Sequence, residues 1–141
     1  MAAPVSRLPM VQCVRRRFTI AQVNAGATIL AAVGGIKFRM VSCKAIAVGG
    51  AAAAVTTVDI LATAAAASRK LVAFAQANLT QSTVLTDGGT GGTVLADGAS
   101  HTQNDANKAI TIGKTGSDVT TATHIDVIFE YTAEEFATDA A

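Results

Sequence analysis

The segment GGAAAAVTTVDILATAAAAS, residues 49–68, most constrains the fold because it places β-forming residues between two runs of alanine. Its alanine content alone favours a helix. Its centre, VTTVDILAT (residues 55–63), instead alternates along an extended chain and is rich in β-branched residues. One face of this segment would carry Thr56, Val58, Ile60 and Ala62. The order therefore predicts a strand, and we expect the alanine runs to form flat, closely packed surfaces or turns.

Similar short segments recur along the chain, each bounded by glycine or polar residues. They cover residues 11–20, 36–48, 69–79, 109–113 and 124–132. Residues 69–79 also have the spacing of a short helix, although we favour a strand, and residues 23–33 are expected to hold a turn and a short strand. This organisation predicts an all-β protein, an antiparallel β-sandwich that is jelly-roll-like, with an extended N-terminal arm.

Alternation within two segments predicts which side chains face the core. In residues 36–48, one apolar face carries Phe38, Met40, Ile46 and Val48. The opposite face begins with Lys37 and Arg39 and ends with small residues, so this strand is expected to run from an exposed end into a covered one. In residues 124–132, the apolar face carries Ile125, Val127, Phe129 and Tyr131. Asp126 and Glu130 lie on the outward face of that last strand, which indicates an antiparallel strand with one wet side.

An internal echo lies in the second half, where TVLTDG (residues 83–88) returns as TVLADG (residues 93–98). Asp-Gly is a strong turn signal, so the two copies predict two short strands around the glycine-rich loop between them, as a hairpin or a small duplication. The polar stretch KTGSDVTTAT, residues 114–123, is expected to be a loop.

The length of 141 residues fits one domain with a substantial core. Pro4 and Pro9 predict an extended arm over residues 1–10, the sandwich is expected to occupy residues 11–132, and residues 133–141 form an acidic tail. Because the core must be built largely from alanine, apolar burial shared between subunits is an attractive source of stability. The composition therefore favours an oligomer.

The net charge of +1 hides an uneven distribution. Residues 1–58 contain seven Lys or Arg and no acidic residue, whereas all ten acidic residues follow from Asp59 onward. Such asymmetry suggests contact with a charged partner or with another copy of the chain. The alternative is that the compact fold mixes the two halves in space.

Cys13 and Cys43 are too few for the disulfide framework of a small secreted domain. We expect free, mostly buried thiols, and a pairing between them stays open. The N-terminal residues lack an apolar run of signal-peptide length, and no stretch resembles a membrane span. These features predict a soluble protein made in the cytoplasm.

Motifs for catalysis and metal binding are weak. GKT, residues 113–115, lacks the earlier glycine of a phosphate loop, and no nucleophile elbow is present. His101 lies between Asp97 and Asp105 in DGASHTQND, but a polar loop explains this cluster better than a metal site. We therefore predict no enzyme activity, no catalytic residues, no metal and no cofactor.

Arg15, Arg16 and Arg17 form the one charged feature that stands out, because three consecutive cations are rarely needed for folding. A nucleic-acid site would need more aromatic partners or a longer basic stripe. The remaining interpretations are a solvated strand end and a docking patch for an acidic protein surface. We take these three arginines as the candidate partner-contact residues, and we expect their joint change to Glu to abolish binding while the fold survives.

Four segments carry a family resemblance: VNAGATIL (residues 23–30), AIAVGGAAAAVTTVDIL (residues 45–61), SRKLVAFAQANLTQSTVL (residues 68–85) and DANKAITIGKTGSDVTTATHIDVIFEYT (residues 105–132). They resemble the small β-rich virion structural proteins encoded near the capsid genes of tailed bacteriophages. Among these, the chain is most similar to capsid decoration, or cement, proteins.

The resemblance implies a structural protein of the virion head surface, made in the host cytoplasm, that binds the outside of the capsid and stabilises it. Its implied partners are the major capsid protein and further copies of itself, as a homotrimer, with no nucleic acid and no membrane. A tail- or vertex-associated β-sandwich adhesin that binds a host carbohydrate is the main alternative. A ligand-binding sandwich with a polar pocket is a second one.

Overall fold

The computed structural model describes residues 10–135, which form a two-sheet antiparallel β-sandwich. The elements are β1 (Gln12–Thr19), α1 (Ile20–Ala25), β2 (Ala27–Leu30), β3 (Ile36–Val48), β4 (Ala52–Ala64), β5 (Ala67–Ala75), β6 (Val84–Thr86), β7 (Gly92–Val94), a 3-10 helix (Ala96–His101), β8 (Ile110–Thr121) and β9 (His124–Glu135). The first sheet has the order β1-β9-β3-β6, and the second has the order β2-β8-β4-β5-β7. The predicted all-β sandwich is confirmed.

The core lies between the sheets and combines a few large side chains with many small ones. Phe74 and Phe129 are fully buried, one from each sheet. Ala45, Ala47 and Ala52 are also fully buried, so small side chains fill part of the core. Alanine therefore contributes to the core, with Ala62 and Ala122 as further buried examples, although most of the described alanines lie outside it.

The second alanine run forms the turn between β4 and β5. Ala65 and Ala66 have φ angles of 50° and 61°, the left-handed geometry that a two-residue hairpin loop requires. The carboxylate of Asp105 accepts hydrogen bonds from both of their backbone N–H groups, at 3.0 and 2.8 Å. The bond to Ala66 is the largest cause of the lowered pKa of Asp105. A side chain from a distant loop thus holds a turn whose own residues are poorly suited to it.

Several predicted strands match the structure closely. Residues 36–48 form β3 with the predicted bounds, residues 69–79 overlap β5, and the predicted strand at residues 55–63 is the centre of β4. Residues 23–33 contain the end of α1 and then the short strand β2. Helix α1 begins at a capping box in which Thr19 and Gln22 exchange hydrogen bonds.

The predicted core face of β3 is wrong for its second half. A bulge between Met40 and Ser42 inserts an extra residue opposite β9. Because alternation has a period of two, one inserted residue reverses which side chains face inward. Cys43, Ala45 and Ala47 are therefore buried, whereas Ile46 and Val48 are only half-buried, on the outer face.

Two other predictions are corrected. The repeated TVL segments form the two predicted short strands, β6 and β7, but they do not pair as a hairpin, because β6 joins the first sheet beside β3 and β7 joins the second beside β5. The segment 114–123, predicted as a loop, is mostly strand, since β8 continues to Thr121 against β4. Pairing with a long neighbouring strand here overrides weak β propensity.

The domain boundaries fall partly outside the described residues. The predicted arm, apart from Met10, and the tail from residue 136 onward belong to that undescribed part. Strand β9 extends to Glu135, three residues past the expected end of the sandwich at residue 132.

Candidate partner-binding site

The three candidate arginines lie on β1, an edge strand of the first sheet. Val14 and Phe18 of this strand face the core, and Phe18 is buried. Arg15 and Arg17 share the opposite, outward face, whereas Arg16 has the inward parity but is exposed at the margin of the sandwich. The structure therefore brings the predicted residues together at one edge, with two orientations.

Arg17 is bound to a buried carboxylate on the neighbouring strand. Its Nε and Nη2 atoms donate to the two carboxylate oxygens of Asp126, at 2.7 and 2.9 Å. Asp126 is 3% exposed although it lies on the outer face, where the prediction left it open to solvent. The hydrogen bond from Arg17 lowers the pKa of Asp126, and the pKa of Arg17 is raised in return. This arginine therefore links β1 to β9.

Arg15 and Arg16 are engaged less fully. An Nη2 atom of Arg15 lies 3.6 Å from an oxygen of Asp126, and the Arg15 side chain is 68% exposed. Arg16 donates from Nε to the backbone carbonyl of Ile29 in β2, at 3.2 Å. Arg16 thus ties the two sheets together at their common margin.

Ion pairs across the first sheet join the basic and acidic halves of the sequence. The acidic strand β9 lies between β1 and β3, both of which are basic. Arg39 of β3 binds Glu134 through two hydrogen bonds, at 2.9 and 3.3 Å, and Lys44 lies 3.8 Å from Glu130. Within the described residues, the first sheet therefore mixes the basic and acidic halves of the sequence in space, which was the alternative interpretation of the uneven charge distribution.

Glu134 is the best-connected of these carboxylates. It also accepts hydrogen bonds from Thr132, at 2.7 Å, and from the side-chain amide of Gln103. The Arg39 guanidinium is the main cause that lowers the pKa of Glu134 to about 2. This cluster fixes the loop after the 3-10 helix against the end of the first sheet.

The outer face of the first sheet also carries apolar side chains, two of which, Ile46 and Val48, were predicted to face the core. Ile46 and Val48 of β3 and Ile128 of β9 are half-buried there, and Val84 of β6 is 53% exposed. The register places Ile46 beside both Asp126 and Val84. The alternation in β9 already indicated an outward Ile128, but the bulge that exposes Ile46 has no sequence signal of its own.

The polar cluster around His101 is dispersed in the structure. Asp105 holds the turn between β4 and β5, while Nδ1 of His101 lies 3.2 Å from the carbonyl of Met40. The acidic neighbour of His101 is Asp87, with an oxygen 3.9 Å from Nε2. Residues 10–135 hold no group of three or more His, Cys, Asp or Glu side chains placed to bind a metal ion. Lys114 of the GKT sequence lies in β8 and pairs with Asp118 at 2.8 Å.

Both cysteines are free, but only one is buried. Cys43 lies in the core, where desolvation raises the pKa of its thiol. Cys13 is exposed on β1, so the expectation of mostly buried thiols is wrong for this residue. Cys13 and Cys43 therefore do not pair as a disulfide, which settles the possibility that the sequence left open.

None of the helices within residues 10–135 has the length and hydropathy of a membrane-spanning segment. No protein-family model matches this chain, and no curated protein matches it either.

Proposed function

We propose that this chain is a virion structural protein that coats the outer surface of a phage capsid and stabilises the shell. Its partners would be the major capsid protein and two further copies of itself in a homotrimer, at the head surface of the particle. The resemblance of four long segments to phage head decoration proteins is the starting point. Such a role requires a rigid scaffold and a binding surface, and it requires no active site.

The observation that carries the proposal is the character of the first sheet at its β1 margin. Arg15, Arg16 and Arg17 are exposed there, and the adjoining outer face places the apolar Ile46 and Ile128 among charged groups. Protein interfaces combine apolar contact with arginine in this way. When the same modest contact recurs across a lattice of identical subunits, avidity makes the whole coat stable.

The strand pairing supports the jelly-roll form of the sandwich. When β7 is set aside, the first strand pairs with the last, the second with the next to last, and so on inward. These nested pairs are β1–β9, β2–β8, β3–β6 and β4–β5. Eight strands that pair in this order and divide between two sheets are typical of a jelly roll, which is built from two Greek keys. The fold is common in capsid-associated proteins, although the same fold also serves other functions.

The alternative is an adhesin of the tail or vertex that binds a host carbohydrate. Sugar-binding surfaces present exposed aromatic rings, and the described residues offer few of them. Phe18, Phe38, Phe74 and Phe129 are buried, and Tyr131 is half-buried beside Phe38 and Phe129. The described surface therefore favours a protein partner over a sugar.

A capsid-binding assay tests the proposal. Undecorated capsids of the phage that encodes the chain are mixed with purified protein, and occupancy is measured by sedimentation. We expect saturable binding at many sites, reduced by a double change, Arg15→Glu with Arg16→Glu. Arg17 is left intact because Asp126 depends on it. Lys108→Glu, an exposed charge reversal on the loop before β8, serves as a control for a charge change outside the arginine patch.

Failure of the unchanged protein to bind such capsids would contradict the proposed function. Equal losses in the double variant and the control would remove the arginine patch from it while the coat function stands.

A further inference from the structure

We propose that the free edge of β1 is a docking site for an extended, acidic segment of another protein. The segment would add to the first sheet as a fifth strand and bind the Arg15 guanidinium with a carboxylate. The inference rests on the proposed function only for the identity of the protein that carries this segment, which would be the shell protein. The chemistry of the site does not depend on which protein carries the segment.

The β1 edge is the longest one that the sandwich offers. β1 has 8 residues, whereas the other three edge strands, β2, β6 and β7, have 4, 3 and 3. Within the described part of the chain, β1 pairs with β9 on one side and with no strand on the other. Half of the backbone N–H and C=O groups of an antiparallel edge strand point away from its partner. Those groups of β1 can pair with an added strand.

The arginines divide their roles along this strand. Arg17 is committed to Asp126 through two hydrogen bonds, and Arg16 is committed to the Ile29 carbonyl. Arg15 has one contact with Asp126, at 3.6 Å, beyond hydrogen-bond distance. A guanidinium offers five N–H donors and binds a carboxylate best through two of them. Arg15 is therefore the arginine of the triplet with the capacity to bind an added carboxylate.

The charge of β1 also selects its partner. A second β1 strand paired antiparallel about Arg16 would place each arginine opposite another arginine, which is destabilising. Strand β9 shows what β1 accepts, because its Asp126 lies directly opposite Arg17 in the register. An extended segment with carboxylates on alternate residues would repeat that pairing on the free side. The edge thus resists its own copy and suits an acidic strand.

The test uses a fluorescein-labelled peptide of alternating threonine and aspartate, equal in length to the 8 residues of β1. Its affinity for the purified full-length protein is measured by fluorescence anisotropy. Hydrogen exchange of the β1 amides, with and without peptide, reports strand addition directly. We expect binding and slower exchange along β1. A peptide with lysine in place of aspartate should not bind.

Variants locate the contact. Arg15→Glu should weaken binding of the acidic peptide by about tenfold or more, since it removes a charge-assisted hydrogen bond and adds repulsion. Lys108→Glu changes the net charge equally, on the loop before β8, and should change the affinity by less than about twofold. If Arg15→Glu folds poorly, Arg15→Gln takes its place in the test, provided that its unfolding midpoint equals that of the parent protein.

Three results would overturn the proposal. The first is unchanged hydrogen exchange of the β1 amides at saturating peptide, and the second is absence of peptide binding. The third is an equal loss of peptide affinity in Arg15→Glu and Lys108→Glu. Capsid binding that survives these negative results would leave the proposed function intact without this mode of docking. Peptide binding by a protein that fails to bind capsids would instead refute the proposed function and keep the edge site.

Discussion

The Arg17 guanidinium and the Asp126 carboxylate form a two-hydrogen-bond pair between β1 and β9, on the outer face of the first sheet. The arginine side chain is 56% exposed, whereas the aspartate side chain is 4% exposed. Because of this difference, removal of the arginine and removal of the aspartate should have different effects on stability. Loss of the arginine leaves a buried charge without its main partner, while loss of the aspartate leaves a cation that water can hydrate.

We predict that Arg17→Ala destabilises the fold clearly more than Arg15→Ala. An uncompensated buried carboxylate is costly, and an exposed ion pair contributes little, so the loss of unfolding free energy should differ by about twofold or more. Urea denaturation of the two variants measures this difference. Equal losses would show that Asp126 does not depend on Arg17. The same experiment bears on the expectation that the fold survives when all three arginines are changed to Glu. The pairing of Arg17 with Asp126 argues against that expectation.

The Ala65-Ala66 turn offers a stabilising change. Both residues hold left-handed geometry that costs alanine energy, and Asn-Gly adopts the same turn with less strain. Ala65→Asn with Ala66→Gly should raise the unfolding free energy by about 1 kcal/mol. Ala73→Gly, inside β5, is the matched control and should lower it by about 0.5–1 kcal/mol. A double variant less stable than the parent protein would contradict the turn geometry.

Acid should weaken the fold through Glu134. Its pKa is lowered from 4.5 to about 2, so its stabilising effect is complete above about pH 4.5 and is lost as pH falls toward 2. The loss should be on the order of 2 kcal/mol, reduced by the partial exposure of Arg39. Unfolding free energies between pH 7 and pH 2 for the parent protein and for Glu134→Gln measure it. The variant should show the smaller pH dependence, and parallel curves would contradict the role given to Glu134.

The two thiols should differ in reactivity. Cys13 is exposed on β1, and Cys43 is buried with a raised pKa, so a thiol reagent such as DTNB should modify one thiol per native chain. Cys13→Ser should abolish the rapid reaction, and denaturant should reveal the second thiol in the parent protein. Rapid modification of both thiols in the native state would contradict the burial of Cys43. A chain with no reactive thiol would contradict the separation of the two cysteines.

Local patterns predicted those strands whose ends and faces are marked in the sequence. Strand β3 is bounded by two glycine pairs, so its limits could be expected, and β9 has a clean apolar alternation, so its inward residues could be expected. The bulge in β3 could not, because it arises where Met40 and Ser42 pair with β9. The continuation of β8 past Gly113 depends likewise on the long strand β4 beside it.

The same limit applies to the candidate site. A run of three arginines is visible in the sequence, and the structure places it on an exposed edge strand. The partner of Arg17, however, lies 109 residues away, and the division of roles among the arginines follows from the pairing of β1 with β9. The proposed function depends on a surface, which only the folded sheet assembles.

The measurement that tests the central claim most directly is the copy number of this chain in purified virions. Quantitative mass spectrometry, scaled to the major capsid protein, gives it without any assumption about the docking site. A coat protein predicts a copy number comparable to that of the major capsid protein, in a fixed ratio from particle to particle. A few copies per particle would indicate a tail or vertex component, and absence from the virion would contradict the proposed function.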